Sequence, residues 1–451
     1  MKLVDHLKQK LQKRGSRTSA VLLNAGVSLA MKLLGMFISL FMVPLTLSYL
    51  TQEEFGIWMT ISSILYWFAF LDVGLSNGMR NYMSQAISEG NYETARRYFY
   101  TTLLLLTIIF GVAFCVTLGI VPFIDLTALF NTTAVSAHML KVTTLVAIGI
   151  TLINFVVKNI AYIYVVHQQY AWMDALSFVG HLLGLIVIWI LTRTTEGNLF
   201  YLVLALTSLP VLVYVLAGFH AFSKYSQLLP RRGVIDFSIG GQIVGKGLGF
   251  FAIQITSCLV IFGCTTVFIS HYCGPEDAAV YNIAFRLFNL IVIVYTAFIS
   301  PLWNGYTDAS VKGDWEWIRK SFNRSLMVWG LTVVGGLLML ALCGTFYRIW
   351  LQGKIEMPFA VSLCTFLYVT FFNLNNCATY LINGLNVITV QIISSVVMTA
   401  IYVGAVMWVG PRYGLEAIIL CVAGSYLLMS LVHLYQCRLI IHRMATGIWN
   451  R

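Results

Sequence analysis

Long apolar runs alternate with short polar connectors along the whole chain. Twelve runs, at about 19–49, 54–86, 99–124, 140–166, 170–192, 198–221, 237–270, 278–309, 322–346, 357–384, 388–410 and 413–437, predict transmembrane helices, since a bilayer demands roughly 20 apolar residues per crossing. The longer runs are expected to tilt, kink or project beyond the bilayer. Pro44, Pro210 and Pro301 are the candidate kink positions. The pattern predicts an all-α polytopic membrane protein. Ahead of the first run, Lys2, Lys8, Lys10, Lys13, Arg14 and Arg17 accompany Leu3, Val4, Leu7 and Leu11 near helical spacing. This stretch is expected to lie on the inner leaflet as a short amphipathic helix. The run that follows is too long for a signal-peptide core and lacks a small-residue cleavage site, so it is read as a retained span.

Composition agrees with this pattern. Of 451 residues, 59% are apolar and only 10% charged, too few charges to solvate a globular surface. Lys and Arg number 28 against 17 Asp and Glu, for a net charge of +11. In a membrane protein that excess belongs on cytoplasmic loops, so it does not point to nucleic acid. With the N-terminus inside, and Arg80, Lys141 and Arg324 counted with the segments beyond the helix ends they stand near, the inner segments carry 19 Lys and Arg, the outer loops 5, and the rest of the spans 4. Both termini are therefore expected in the cytoplasm. The expected organisation is a basic N-terminus (1–18), a six-helix lobe (19–222), a cytoplasmic linker (223–236), a second six-helix lobe (237–437) and a basic tail (438–451). The nine cysteines form no CxxC or Cys/His cluster, and all but Cys273 lie within spans, so neither metal nor cofactor is expected.

The two halves repeat. Gly90-Asn91-Tyr92-Glu93-Thr94-Ala95-Arg96-Arg97-Tyr98-Phe99 matches Gly313-Asp314-Trp315-Glu316-Trp317-Ile318-Arg319-Lys320-Ser321-Phe322 at an offset of 223. At the same offset Glu54-Phe55-Gly56-Ile57-Trp58 aligns with Asp277-Ala278-Ala279-Val280-Tyr281, and Lys32-Leu33-Leu34-Gly35 aligns with Lys246-Gly247-Leu248-Gly249 at 214. Six spans per half is an even number, so the halves point the same way. A pseudo-two-fold along the membrane normal follows, as in parallel-repeat transporters.

Charges inside the spans are the candidate chemistry. Lys32, Lys158, Lys246 and Arg286 lie within spans, and Asp72 and Arg80 lie on the second. Each buried charge costs about 2.5–3.5 kcal/mol on insertion scales, so these side chains should face water, a counter-charge or an anionic ligand. At 1.5 Å per residue Lys32 lies ~20 Å above its inner start, Lys246 ~14 Å, and Arg286 ~12 Å below the outer end of its helix. That places three cations near mid-membrane, with no carboxylate at i±3 or i±4 of any of them. Lys158 has a second reading, reaching to the inner surface. Asp72, Ser76 and Arg80 stand at i, i+4 and i+8, so Asp72 also has a reading as a neutralising partner. A positively biased chamber would hold an anionic group, a phosphate or diphosphate above all, by charge-assisted hydrogen bonds. Asn77, Asn81 and Asn304 are candidates for sugar hydroxyls or for helix–helix hydrogen bonds.

Glu54-Phe55-Gly56-Ile57-Trp58 followed by Leu71-Asp72-Val73-Gly74-Leu75-Ser76-Asn77-Gly78-Met79-Arg80-Asn81 resembles the polysaccharide (O-antigen type) flippases of the multidrug/oligosaccharidyl-lipid/polysaccharide (MOP) superfamily. The resemblance implies two six-helix lobes whose central cavity is lined chiefly by spans one, two, seven and eight. It implies a substrate, an oligosaccharide repeat unit on undecaprenyl diphosphate, moved from the inner to the outer leaflet of a bacterial inner membrane by alternating access. A polysaccharide polymerase and a chain-length regulator are the partners it suggests. The matched motif supports Asp72, Asn77, Arg80 and Asn81, with Asp72 also the candidate ion-coupling site, whereas Lys32, Lys246 and Arg286 rest on physical grounds. No GxxxxGK[ST] is present, so ATP is not expected to supply the energy directly.

Two other classes compete. A drug/cation antiporter of the same superfamily would want acidic cavity residues, against the positive bias here. A membrane glycosyltransferase or polymerase would place catalytic acids in an outer loop, where Glu53 and Glu54 stand. Charges at a helix N-terminus, favoured by its dipole, account for that pair more simply.

Overall fold

The computed structural model describes residues 16–72, 75–167, 169, 171–230, 235–236, 238 and 263–450. Among them every regular element is helical, as hydrocarbon requires of a chain that must satisfy its own backbone. Eight helices are long and apolar enough to cross a membrane. The expected seventh span, 237–270, falls almost wholly outside the described residues.

The chain divides into two compact units: 1–50, 71–124 and 137–248 form one, and 51–70, 125–136 and 249–451 the other. Residues 51–70 and 125–136, from the first half of the sequence, belong to the second unit.

In the first unit α1 (Ser16–Tyr49) packs on α8, Ala171–Thr194. Helix α3 (Leu75–Ser88) packs on α4 (Tyr92–Ile120), and α6 (Ala137–Val157) on α9, Leu199–Lys224. Met79, Met83, Phe99 and Tyr164 are fully buried at its centre. The linker returns along α4, where Arg96 Nε donates to the Gln227 carbonyl at 3.2 Å and the Tyr100 hydroxyl to Leu228 at 3.1 Å.

The second unit contains α2 (Gln52–Trp67), the short α5 (Leu126–Phe130), α10 (Thr265–Cys273), α11 (Pro275–Val311), α12 (Trp315–Leu351), α13 (Phe359–Gly384) and α14, Thr389–Ile441. Helix α11 packs on α2, α12 and α13, and α14 packs on α10 and α13. Thr51 starts α2 with a capping box: its hydroxyl accepts from the Glu54 amide at 3.2 Å, and the Glu54 carboxylate accepts from the Thr51 amide at 3.0 Å. Glu54 thus caps its own helix, and Glu53 accepts a hydrogen bond from the Thr132 hydroxyl. The glycine in the Glu54–Trp58 motif has a packing reason, since a Cβ on Gly56 would lie 1.7 Å from the Pro275 carbonyl oxygen.

The sequence repeat is one turn built twice. Gly90 and Gly313 take φ of 75° and 70°, the left-handed conformation glycine adopts without strain. The next amide closes a Schellman-type bond in each, Asn91 to Ala86 and Asp314 to Ala309, both at 2.9 Å. The same residues then cap the following helix, Asn91 accepting from Thr94 and Asp314 from Trp317 at 3.0 Å. An i,i+4 ion pair follows in both, Glu93–Arg97 and Glu316–Lys320.

Two breaks differ from the expected continuous spans. Span two changes to a 3-10 turn over Phe68–Asp72 before α3 begins, and span four narrows to one over Lys158–Ala161 before α7, Tyr162–Val166. Neither holds a proline. The last two spans run on as α14 through Pro411 and are separated at Gly414, whose φ is 74°.

Candidate functional site

In the second unit, a pocket of about 190 Å3 opens where α2, α10 and α11 meet. Met59, Ser62, Ser63 and Tyr66 stand at i, i+3, i+4 and i+7 on α2, one stripe of that helix. Tyr281, Asn282, Phe285 and Arg286 form the matching stripe on α11, and Thr266 comes from α10. The Arg286 guanidinium lies in this wall, half-buried, with Nη2 3.6 Å from the Met59 sulfur. None of the described lining residues is acidic.

Local bonds set the character of the rest. The Ser62 hydroxyl donates to the Trp58 carbonyl at 2.8 Å and Ser63 to Thr60 at 2.9 Å. Each spends its proton on its own helix and presents lone pairs. The Asn282 amide donates to the Ala278 carbonyl at 2.8 Å and to the Thr266 hydroxyl at 3.4 Å. Tyr281 and Phe285 stack with centroids 6.0 Å apart, and half-exposed Tyr66 packs edge-on against Phe70. A guanidinium with fixed donors suits a phosphate or carboxylate, hydroxyl and amide groups suit a polyol, and the rings supply flat apolar faces. The volume is below the roughly 300–1,000 Å3 of a drug-sized site, so it takes one phosphate or one sugar-sized fragment.

The first unit holds a second charged group, at the two unexpected breaks. Asp72 ends the 3-10 turn of span two and accepts from the Ser76 amide at 2.9 Å, capping α3. Its carboxylate acts electrostatically on Lys158 and on Tyr162, and Arg80 acts on Tyr162 as well. Lys158 sits on the 3-10 turn of span four with its ammonium 4.5 Å over the Phe155 ring. The Asp72 carboxylate of span two is thus a charge that acts on Lys158, in keeping with a charge inside a span facing a counter-charge.

Of the other expected site residues, Lys32 lies on α1, Asn77 and Asn81 on α3 and Asn304 on α11, with side chains outside the described set. Lys246 lies outside the described residues altogether. Sequence reasoning found Arg286 but missed its neighbours Ser62, Ser63, Tyr66, Thr266, Asn282 and Phe285. The signal available was the helical stripe that α2 and α11 each carry.

No family model matches the chain. It is 24% identical over 315 residues to a protein of Salmonella typhimurium named as an O-antigen transporter, covering 70% of this chain and 71% of that one. A Yersinia pseudotuberculosis protein named as an O-antigen export protein is 22% identical over 414 residues, 88% of this chain and 91% of its own. Among solved structures, the inward-facing conformation of a multidrug resistance MATE family transporter of the MOP superfamily superposes with a TM-score of 0.72 at 14% identity, over 93% of this chain and 98% of that one. A MOP superfamily transporter from Pyrococcus furiosus, described as having a binding pocket of reverse polarity, superposes at 0.61 with 14% identity, over 95% and 97%. The chain is thus an all-α membrane protein with the MOP-transporter fold, similar in sequence to O-antigen transporters.

Proposed function

We propose that this MOP-fold transporter is a flippase for an oligosaccharide repeat unit carried on undecaprenyl diphosphate, moving it from the inner to the outer leaflet of a bacterial inner membrane by alternating access. One observation carries the reading: the pocket around Arg286 joins a guanidinium to hydroxyl, carboxamide and aromatic groups, with no acid among its described lining residues. One phosphate of a diphosphate, or the sugar next to it, has the complementary chemistry. The same sign of charge disfavours a cationic drug as cargo. Lys32, Lys246, Arg80, Asn77, Asn81 and Asn304 are assigned to the headgroup's path, Lys158 with them, and Asp72 to ion coupling opposite Lys158. The Lys and Arg distribution supports both termini in the cytoplasm. The product is released where a polymerase and a chain-length regulator would receive it.

The reading is tested in a strain whose surface polysaccharide depends on this protein. Arg286→Ala at matched protein level should lower surface polysaccharide and leave repeat units at the inner face, and Arg286→Lys should retain part of the transport. Normal polysaccharide with Arg286→Ala refutes the assignment. Loss of drug resistance in place of polysaccharide favours the antiporter.

A further inference from the structure

On the first unit, α4 and α6 run side by side and leave a groove of about 630 Å3. Of the residues lining it, only Thr107 has a polar side chain, and its hydroxyl donates to the Leu103 carbonyl of its own helix at 2.7 Å. Two glycines hollow the groove. Nothing lies within 4 Å of a Cβ built on Gly111, and one on Gly149 meets only the Phe114 ring, at 3.0 Å.

Both helices belong to spans long and apolar enough to cross the bilayer, so the groove lies at hydrocarbon depth and its occupant is a hydrocarbon chain. The lining reaches Val156 on α6. From Lys141 to Val156 is about 22 Å at 1.5 Å per residue, longer than the ~15 Å of hydrocarbon in one leaflet. An acyl chain fits along it.

One end carries a charge. Lys141, Leu145 and Gly149 stand at i, i+4 and i+8, so Lys141 heads the stripe of α6 that lines the groove. Its ammonium donates to the Pro122 carbonyl at 2.8 Å, just beyond the lining stripe of α4. An ammonium has three donors, and this bond uses one while holding the charge over the end of the groove.

We propose that the groove is a binding site for an anionic phospholipid of the surrounding bilayer, one acyl chain lying between α4 and α6 and the phosphate at Lys141. The apolar walls select for a chain and the lysine for a negative headgroup, so between a phosphatidylglycerol and a phosphatidylcholine with the same chains it is Lys141 that discriminates.

Native mass spectrometry of the purified full-length protein, delipidated in detergent and exposed to phosphatidylglycerol and phosphatidylcholine of identical acyl chains, tests the site. The wild type should retain phosphatidylglycerol about fivefold over phosphatidylcholine. Lys141→Gln should bring the two to parity. Gly111→Leu, whose side chain grows into open groove, should lower retention of both lipids while leaving the melting temperature in place. Equal retention by the wild type, or retention of phosphatidylglycerol unchanged in both variants, overturns the proposal. A prenyl lipid co-purifying in the groove in place of the phospholipid overturns it as well.

Discussion

Gly56→Ala adds one methyl group and should be among the more damaging single changes in the second unit. Alanine is favoured over glycine in a helix interior by roughly 0.5–1 kcal/mol, so propensity alone predicts stabilisation. Geometry reverses the sign. The new Cβ would lie 1.7 Å from the Pro275 carbonyl oxygen and 2.4 Å from its carbon. Both are backbone atoms, so no rotamer relieves the clash. Reaching even 3.0 Å requires α2 and the start of α11 to separate by 1.3 Å, the difference between 3.0 Å and 1.7 Å. Overpacking of this kind costs about 1–3 kcal/mol and more when the backbone itself must move. At about 2–4 °C per kcal/mol for a unit of some two hundred residues, the upper figure corresponds to a fall of about 6–12 °C. Gly35→Ala on α1, where no atom lies within 4 Å of the new Cβ, carries the same propensity gain without the clash. Thermal unfolding of both variants in one detergent, read by intrinsic fluorescence, separates the effects. A Gly56→Ala melting temperature at or above wild type would refute the close approach of α2 to α11.

Three further outcomes follow from particular contacts. Asp72→Asn and Lys158→Gln should each lower the melting temperature. The double variant should cost less than the sum of the two, because each single change leaves a charge without its partner; strict additivity would show that the two do not interact. Thr51→Val removes the capping box of α2 and should cost about 1 kcal/mol, whereas Thr51→Ser should recover most of it by the same thermal measurement. On the exposed linker, hydrogen bonds from the Ser238 hydroxyl and amide hold the Asp236 carboxyl below the usual carboxylate range. A carboxyl depressed in the folded state stabilises above its unfolded pKa, and that contribution is lost as pH falls through the folded value. In 13C spectra of the labelled carboxyl, Ser238→Ala should move the Asp236 titration upward toward the ordinary range, and an unmoved titration would contradict the role of the hydroxyl.

Much of the helical layout could be read from hydropathy because a bilayer admits so few alternatives. The repeated loop was legible for a local reason: glycine, a capping Asn or Asp, and Glu four residues before Arg or Lys act within one turn of chain, as at Gly90–Arg97 and Gly313–Lys320. The breaks were not legible. Proline is the local signal for a kink, yet span two breaks at Asp72 and span four at Lys158, two residues that interact through space across different helices. At the C-terminal end the boundary expected between 410 and 413 is made by the backbone at Gly414. Arg286 stood out as a charge in an apolar run, whereas Ser62, Ser63 and Asn282 read as ordinary polar residues of a helix. Only the packing of α2 and α10 on α11 turns those three toward one guanidinium.

In the proposed mechanism the Arg286 pocket engages the anionic headgroup of a lipid-linked oligosaccharide during transport. The most direct measurement of this is translocation of such a lipid in proteoliposomes, read as headgroup becoming accessible to an externally added hydrolase. Loss of one charge-assisted contact worth about 2–3 kcal/mol is about 30- to 150-fold in rate or affinity. A fall of that order is expected for Arg286→Ala with partial recovery in Arg286→Lys, at unchanged protein incorporation. Equal translocation by the wild type and Arg286→Ala would contradict it.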